Sequence, residues 1–169
     1  MEKNEQQIIL EQFRDYVIKQ ARTNLTRLKK NSSKKLYDSI KGEIKAMPNS
    51  LRVYFDMADY GFYQDKGVSG TKKKYNTPFA YSTKRPPLKP IQDWVTKRRF
   101  QFKNKESGKF MSYQSTAYLI AGGILKNGIK PSLFFTKPFE KAFERLPDEL
   151  VEAYGLDLEQ FLQYTINKK

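Results

Sequence analysis

The first thirty residues carry a helical repeat of apolar side chains. Apolar positions recur every three or four residues, which is the spacing of one face of an α-helix, and most lysines and arginines of this segment lie off that face. The pattern predicts a helix over about residues 4–30. The apolar stripe comprises Ile9, Phe13, Val17, Ala21, Leu25 and Leu28. A shorter helix should follow, with Leu36, Tyr37 and Ile40 facing inward.

From Lys41 the apolar period changes towards two. The segments "GEIKAM" and "LRVYFDM" are rich in β-prone residues and are separated by the turn formers Pro48, Asn49 and Ser50, so they predict a β-hairpin. The next segment, "ADYGFYQDKG", predicts one or two helical turns that end in a left-handed residue at Gly67.

The second half of the chain alternates polar loops with helices. Residues 67–90 hold four prolines and six basic residues and predict a long basic loop, of a length that in compact domains is usually functional or disordered. Pro90 favours the start of a helix over about residues 90–101. A further helix should end at Asn127 and Gly128, with the Gly122–Gly123 pair indicating a close approach of another element.

Together these elements predict one α+β domain spanning residues 1–169. It should combine the long N-terminal helix, a small curved antiparallel sheet packed against helices, and a helical C-terminal part from Pro138 to about residue 166. A chain of this length buries roughly 70% of the surface that its unfolded state exposes, so it needs no covalent staple.

Composition removes most enzyme classes. The chain contains neither cysteine nor histidine, so disulfides, thiolate chemistry, the usual zinc ligand sets and histidine-dependent triads are excluded. We therefore expect a non-enzymatic protein without a cofactor or a metal. No apolar run approaches the ~20 residues that cross a bilayer, and the first residues lack the pattern of a signal peptide, which predicts a protein made in the cytoplasm.

Charge is distributed unevenly. The net charge is +14, and residues 1–110 hold 25 basic against 11 acidic residues, whereas residues 111–169 hold seven of each. Such a field attracts polyanions or acidic partners. The predicted contacts with nucleic acid or an acidic partner are Lys72, Lys73, Lys74, Lys84, Arg85, Lys97, Arg98 and Arg99.

Aromatic residues interleave with these cations, as in proteins that stack bases and neutralise phosphates. They are Tyr75, Phe79, Tyr81 and Phe100. The alternative is a soluble charged loop whose aromatic side chains anchor it to its own domain or to a neighbour. The loop begins "GVSGTKKK", but only two residues separate its glycines, so it lacks the spacing of a phosphate-binding loop. A hydrolase or nuclease using Mg²⁺ at Asp56, Asp59 and Asp65 is a more distant alternative.

The segment "KNGIKPSLFFTKPFEKAFERL" places several phenylalanines between prolines at a corner between two helices. Their side chains fold back into the core, as most aromatic residues do, or contact a neighbouring copy of the chain, or do both, because successive residues of an extended backbone face opposite sides. The aromatic segment near Gly67 is also predicted to contact a neighbouring copy of the chain. The predicted subunit-contact residues are Tyr60, Phe62, Tyr63, Gly67, Phe134, Phe135 and Phe139.

The order of the motifs resembles the phage minor tail or tail-completion family, small proteins of the head–tail neck. Three motifs over about residues 32–163 carry this resemblance: a tyrosine, an acid and a glycine after the hairpin, a Pro-x-x-x-Trp-Val helix, and a Gly-Ile-x-Pro-x-x-Phe junction. The matching residues are Tyr60, Asp65 and Gly67, then Pro90, Trp94 and Val95, then Gly128, Ile129, Pro131 and Phe134.

The resemblance implies a virion structural protein of the neck that assembles as a homo-oligomeric ring around the DNA channel, typically of six or twelve copies. Its expected partners are the portal or adaptor proteins and the tail proteins of the same virion, with contact to the DNA backbone or to an acidic neighbouring ring through the basic loop. Such rings arise when head-to-tail contacts close by rotation. The alternative function is that of a basic nucleic-acid-binding accessory protein.

Overall fold

The computed structural model describes residues 5–30, 33–47, 50–146 and 150, and it groups the chain into two compact units. Unit 1 comprises residues 1–61 and 132–169, and unit 2 comprises residues 62–131. The α+β class is confirmed, with a long N-terminal helix, a two-stranded antiparallel sheet and further helices.

Helix α1 (Glu5–Arg27) is the longest element of unit 1. It buries one side, at Leu10, Phe13, Val17, Ala21 and Leu25, as the three- and four-residue repeat predicts. Leu10 replaces Ile9 as the fully buried residue of the first turns, and Leu28 is exposed because the helix has already ended.

A reversal of the backbone ends α1. Lys29 adopts a left-handed φ of 54°, its N–H donates to the carbonyl of Thr26, and the N–H of Lys30 donates to the carbonyl of Leu25. These two bonds form a Schellman motif, which satisfies carbonyls that the helix leaves without partners.

The short helix α2 (Lys35–Ser39) and a hairpin of β1 (Lys41–Met47) and β2 (Ser50–Asp56) follow. The strands pair antiparallel, with Ile44 opposite Val53 and Gly42 opposite Phe55. Val53 and Phe55 are buried, as alternate residues of a strand with one covered face should be. This confirms the predicted hairpin.

Helix α6 (Thr136–Phe143) closes unit 1 by packing against α1. The rings of Phe13, Phe55, Phe135 and Phe139 form one cluster, with centroids 5.3–6.1 Å apart. Asn24 of α1 donates from Nδ2 to the carbonyl of Phe134 and so holds the segment before α6.

The burial of these phenylalanines corrects their prediction as subunit contacts. Phe134, Phe135 and Phe139 are 0%, 6% and 1% exposed within a single chain. A ring already covered by its own chain offers no apolar surface to a neighbour, so the three residues form the core of unit 1. Of the interpretations of this segment, the burial of all three rings supports folding back into the core. The helix predicted beyond Pro138 is confirmed as far as Phe143, and its predicted extension lies largely outside the described residues.

Unit 2 contains the helix pair α4 (Leu88–Lys97) and α5 (Tyr113–Asn127), which pack against each other. In this pair α4 buries Val95, and α5 buries the small residues Thr116, Ala117 and Ala121. The short helix α3 (Tyr60–Lys66) leads into the unit and is followed by Gly67 with φ 77°, as predicted.

One local prediction for unit 2 is wrong. A methyl group added at Gly122 or Gly123 would meet no atom within 4 Å, so neither glycine marks a close approach. The close approaches of unit 2 occur at other glycines, in the loop before α4 and after α5.

Candidate nucleic-acid interface

Unit 2 holds nearly all of the excess positive charge. Residues 62–131 contain 15 lysines and arginines against three acidic residues, a net charge of +12, whereas the remaining residues carry the other +2. The excess, which lies mostly in the first two thirds of the sequence, thus belongs to one folding unit. A unit of this size and charge attracts polyanions strongly at low ionic strength.

The basic loop is tied to the end of α5 through its backbone. The N–H groups of Thr71, Lys72 and Lys73 donate to the carbonyls of Leu125 and Lys126, at 2.9–3.2 Å. The last carbonyls of a helix have no partner within the helix, and its C-terminus carries partial negative charge. The loop therefore caps α5 while placing the lysine side chains at the end of the helix that favours cations.

Ser69 organises the interior of this loop. Its hydroxyl donates to the carbonyl of Tyr75 and accepts from the N–H of the same residue, and its backbone pairs with Phe79 and Tyr81. Ser69 is buried, so these bonds satisfy groups that would otherwise be costly to remove from water. The residues predicted to be a functional or disordered loop thus form an ordered one.

The loop glycines allow backbone to pack on backbone. A Cβ on Gly70 would clash with the carbonyl oxygen of Lys126, and one on Gly128 would clash with that of Val68. Val68 and Ile129 also pair as an antiparallel bridge. The glycines of "GVSG" are therefore explained by contact with the chain after α5, which agrees with the absence of a phosphate-binding spacing.

The aromatic side chains inside the basic loop serve largely as anchors. Phe79 packs edge-on against Tyr63 with centroids 4.6 Å apart, and Tyr75 and Tyr81 are half-buried. Burial raises the pKa of the Tyr81 phenol, with a smaller contribution from Tyr63, so this hydroxyl stays protonated through the neutral range. For Tyr75, Phe79 and Tyr81, anchoring of the loop to its own unit therefore fits better than stacking on bases.

All eight cations predicted to contact nucleic acid or an acidic partner are exposed. Two of them have a ring partner. Lys73 Nζ lies 5.6 Å from the centroid of Tyr75, and the guanidinium of Arg85 lies 4.0 Å from the centroid of Tyr118 on α5. This cation–π contact positions Arg85 over α5 and leaves both groups at the surface.

The end of α4 and the following loop form a second basic surface. Arg99 takes a left-handed φ of 51°, and the N–H of Phe100 donates to the carbonyl of Val95, which ends the helix in a Schellman motif. Residues 102–111 then fold as a narrow hairpin-like loop, in which Lys103 pairs with Phe110 and Met111 donates to the carbonyl of Phe102.

This hairpin adds residues that the sequence analysis did not single out. Lys103, Lys105 and Lys109 extend the basic surface, and Phe102 and Phe110 are exposed. The cluster "KRRFQFK" at residues 97–103 was a usable signal, because it alternates aromatic and polar positions between cations. The exposed rings of this region are Trp94 at 44%, Phe100 at 41%, Phe102 at 38% and Phe110 at 65%.

The other predicted subunit-contact residues differ in exposure. Tyr60 and Tyr63 are exposed, Phe62 is half-buried, and Gly67 is buried against Pro131 and the carbonyl of Ile129. Burial raises the pKa of Tyr60, partly offset by a hydrogen bond with the backbone of Leu36. Of these four residues, Tyr60 and Tyr63 are the two that expose more than a third of their surface.

The acidic cluster considered for Mg²⁺ is not assembled. Among the described residues, no group of three or more acidic side chains is placed to share a metal ion. Asp65 is buried, whereas Asp56 and Asp59 are exposed. This geometry gives no support to a hydrolase or nuclease built on Asp56, Asp59 and Asp65.

Unit 1 contains a cleft of about 590 Å³ beside α1. Arg22, which lines it, donates to the carbonyls of Tyr37 and Ile40 and lies 5.2 Å from the ring centroid of Tyr37. Its guanidinium thus joins α1 to the end of α2, which is a structural role.

Comparisons with known proteins identify no relative. The chain has no significant match among protein-family models, curated proteins or solved structures. Within the described residues, no helix combines the length and apolar character needed to span a bilayer.

Proposed function

We propose that this chain is a non-enzymatic structural protein of a virion neck, which assembles as a ring and joins portal-side to tail-side components. The proposal starts from the order of the motifs that resemble the tail-completion family. Support comes from the folding of unit 2, where two of these motifs are in contact although they are far apart in sequence. Gly67 lies against Pro131, and Val68 pairs with Ile129.

This contact is the observation that carries the proposal. If the motif matches were due to chance, the segments that carry them would have no reason to be in contact. Segments that together form one structural feature are expected to be in contact. In the proposed ring, unit 2 faces DNA or an acidic neighbouring ring, because it carries a net charge of +12. The proposed subunit contacts are reduced to the exposed rings of Tyr60 and Tyr63.

Sedimentation of the purified chain, alone and with neck partners, together with mass spectrometry of purified particles, tests this function. We expect the chain in particles and a closed oligomer in solution or on its partners. Changing Tyr60 and Tyr63 to alanine should weaken assembly, whereas Leu119→Ala, which trims an equally exposed apolar side chain, should not. A chain that is absent from particles and monomeric with every neck partner would overturn the proposal.

A second candidate is a free nucleic-acid-binding accessory protein, which is favoured by the concentration of charge in unit 2. It predicts an affinity for DNA that falls steeply with salt. Changing Lys72, Lys73 and Lys74 to glutamate should abolish that affinity, whereas the same charge reversal at three exposed lysines of unit 1 should weaken it far less. The control lysines are Lys19, Lys35 and Lys41. Loss of DNA binding with normal assembly separates this activity from the neck function.

A further inference from the structure

Three exposed aromatic rings form a row at the end of α4. The centroids of Trp94 and Phe100 are 6.4 Å apart, and those of Phe100 and Phe102 are 5.1 Å apart. All three rings lie at the surface of unit 2, at least a third exposed. Exposed aromatic side chains in a row usually have a partner, because they present apolar surface to water at a cost.

The backbone holds this row in place before any partner arrives. The N–H of Phe100 donates to the carbonyl of Val95, and that of Phe102 donates to the hydroxyl of Thr116 at 3.4 Å. Between them, the Gln101 side chain donates to the carbonyl of Met111 at 2.7 Å. A preformed row loses little conformational entropy when it binds.

The charges around the row select the class of partner. Lys97, Arg98 and Arg99 precede Phe100 directly, and all three are exposed. An acidic surface alone would pair with the cations but would not contact the rings. Single-stranded nucleic acid satisfies both, since its phosphates bind cations and its unstacked bases stack on aromatic faces.

We propose that Trp94, Phe100 and Phe102 form a stacking platform for single-stranded nucleic acid, with the neighbouring lysine and arginines binding its phosphates. The rings are not parallel, since Trp94 and Phe100 are inclined at 51° and Phe100 and Phe102 meet edge-on at 78°, so the row fits bases that are splayed apart and not a continuous stack. Bases inside a duplex are stacked on each other and expose no face. The platform goes beyond the neck function and does not depend on it.

Phe110 provides a matched control on the same hairpin. It pairs with Lys103, whose Nζ lies 5.0 Å from its ring centroid, and successive residues of an extended chain point to opposite faces. Phe102 therefore lies on the face away from Phe110. Phe110 is also the more exposed of the two rings, so a general effect of exposed aromatic surface would be at least as large there.

Titration of the full chain with short oligodeoxythymidylate, a duplex of the same length and polyphosphate of equal charge tests the platform. Trp94 is the only tryptophan, so its fluorescence reports stacking directly. We expect quenching by the oligodeoxythymidylate, little change with polyphosphate, and weaker binding of the duplex. Phe100→Leu and Phe102→Leu, which keep apolar volume but remove the ring, should each weaken oligodeoxythymidylate binding by about fivefold to a hundredfold.

The same variants should bind polyphosphate as the parent does, and Phe110→Leu should change neither affinity by more than about twofold. Unfolding curves recorded by circular dichroism establish that each variant is folded. Equal quenching by polyphosphate, a preference for the duplex, or equal losses in the Phe110 variant would overturn the platform. If the Phe100 and Phe102 variants lose self-association but keep oligonucleotide binding, the row is a protein contact and the proposal is also wrong.

Discussion

The ring of Phe139 in α6 meets the ring of Phe13 in α1 edge-on, with centroids 5.4 Å apart and an interplanar angle of 77°. The two residues are 126 positions apart in sequence, and their contact joins the beginning and the end of unit 1. Edge-to-face pairs of this kind are favoured by the quadrupoles of the rings in addition to their burial.

Removing this ring should destabilise unit 1 severely. Phe139→Ala leaves a cavity in a fully packed cluster, and we expect the free energy of unfolding to fall by about 3–5 kcal/mol. Urea unfolding followed by circular dichroism measures the change. Phe110→Ala removes an exposed ring and should cost no more than about 0.5 kcal/mol. A double-mutant cycle between Phe13 and Phe139 should give a coupling of about 0.5–1.5 kcal/mol.

Alanine substitutions at two glycines of unit 2 should change its stability in opposite directions. Gly122 lies inside α5, and an added methyl group meets nothing, so Gly122→Ala should stabilise the unit by up to about 1 kcal/mol. Gly128 has φ 71° and faces the backbone of Val68, so Gly128→Ala should destabilise it by more than that amount. Denaturant titration read by Trp94 fluorescence reports on this unit, and effects of the same sign would contradict the assignment.

The left-handed residue after α1 offers a stabilising substitution. Lys29 adopts φ 54°, a conformation that costs a residue with a side chain roughly 1 kcal/mol and glycine almost nothing. Lys29→Gly should therefore raise the melting temperature. Lys19→Gly makes the same change in an exposed position inside the helix, where it should cost about 1 kcal/mol and lower the melting temperature. A destabilising Lys29→Gly would argue against the Schellman motif.

Lys30 should make stability depend on pH in the alkaline range. Desolvation by burial lowers the pKa of Lys30 below its usual value of 10.5. Between the folded and unfolded pKa values the unfolded chain binds more protons, so this residue's contribution to stability improves as pH rises. At neutral pH the full cost of burying the charge applies.

Lys30→Met should therefore be more stable than the parent at pH 7, and its advantage should shrink as pH approaches 10.5. Chemical unfolding of both proteins across this pH range measures the difference between their free energies of unfolding. The other titrating groups are present in both proteins, so their contributions cancel in this difference. An advantage that does not vary with pH would mean that Lys30 is not desolvated in the folded state.

Local pattern was sufficient to predict most elements. The repeat through Phe13, Val17 and Ala21 predicted α1, the change of period predicted the hairpin, and glycine at positions 67 and 128 marked two ends correctly. Each of these signals arises within a few residues of the feature it predicts, because backbone conformation and one-sided burial are local properties.

Long-range contacts were not predictable from one sequence. The prolines around Phe134 suggested an exposed corner. The neighbouring rings of Phe135 and Phe139 are instead covered by phenylalanines of β2 and α1, which lie more than 70 residues away in the sequence. The basic loop looked unstructured because its partners, the carbonyls of Leu125 and Lys126, lie some fifty residues further on. Of the three rings in the aromatic row, only Phe100 was among the aromatic residues predicted to accompany the cations, since the exposure of Phe102 depends on how the hairpin folds.

The pairing of Val68 with Ile129 has a consequence for how the chain acquires its structure. Unit 2 interrupts unit 1, so α1 and α6 can meet only after the intervening chain has been closed into a loop. Each doubling of a flexible loop adds about 0.6 kcal/mol to the entropic cost of closing it. Because the folded basic unit ties its two ends together, it shortens that loop and so reduces the entropic cost of bringing the aromatic cluster of the other unit together.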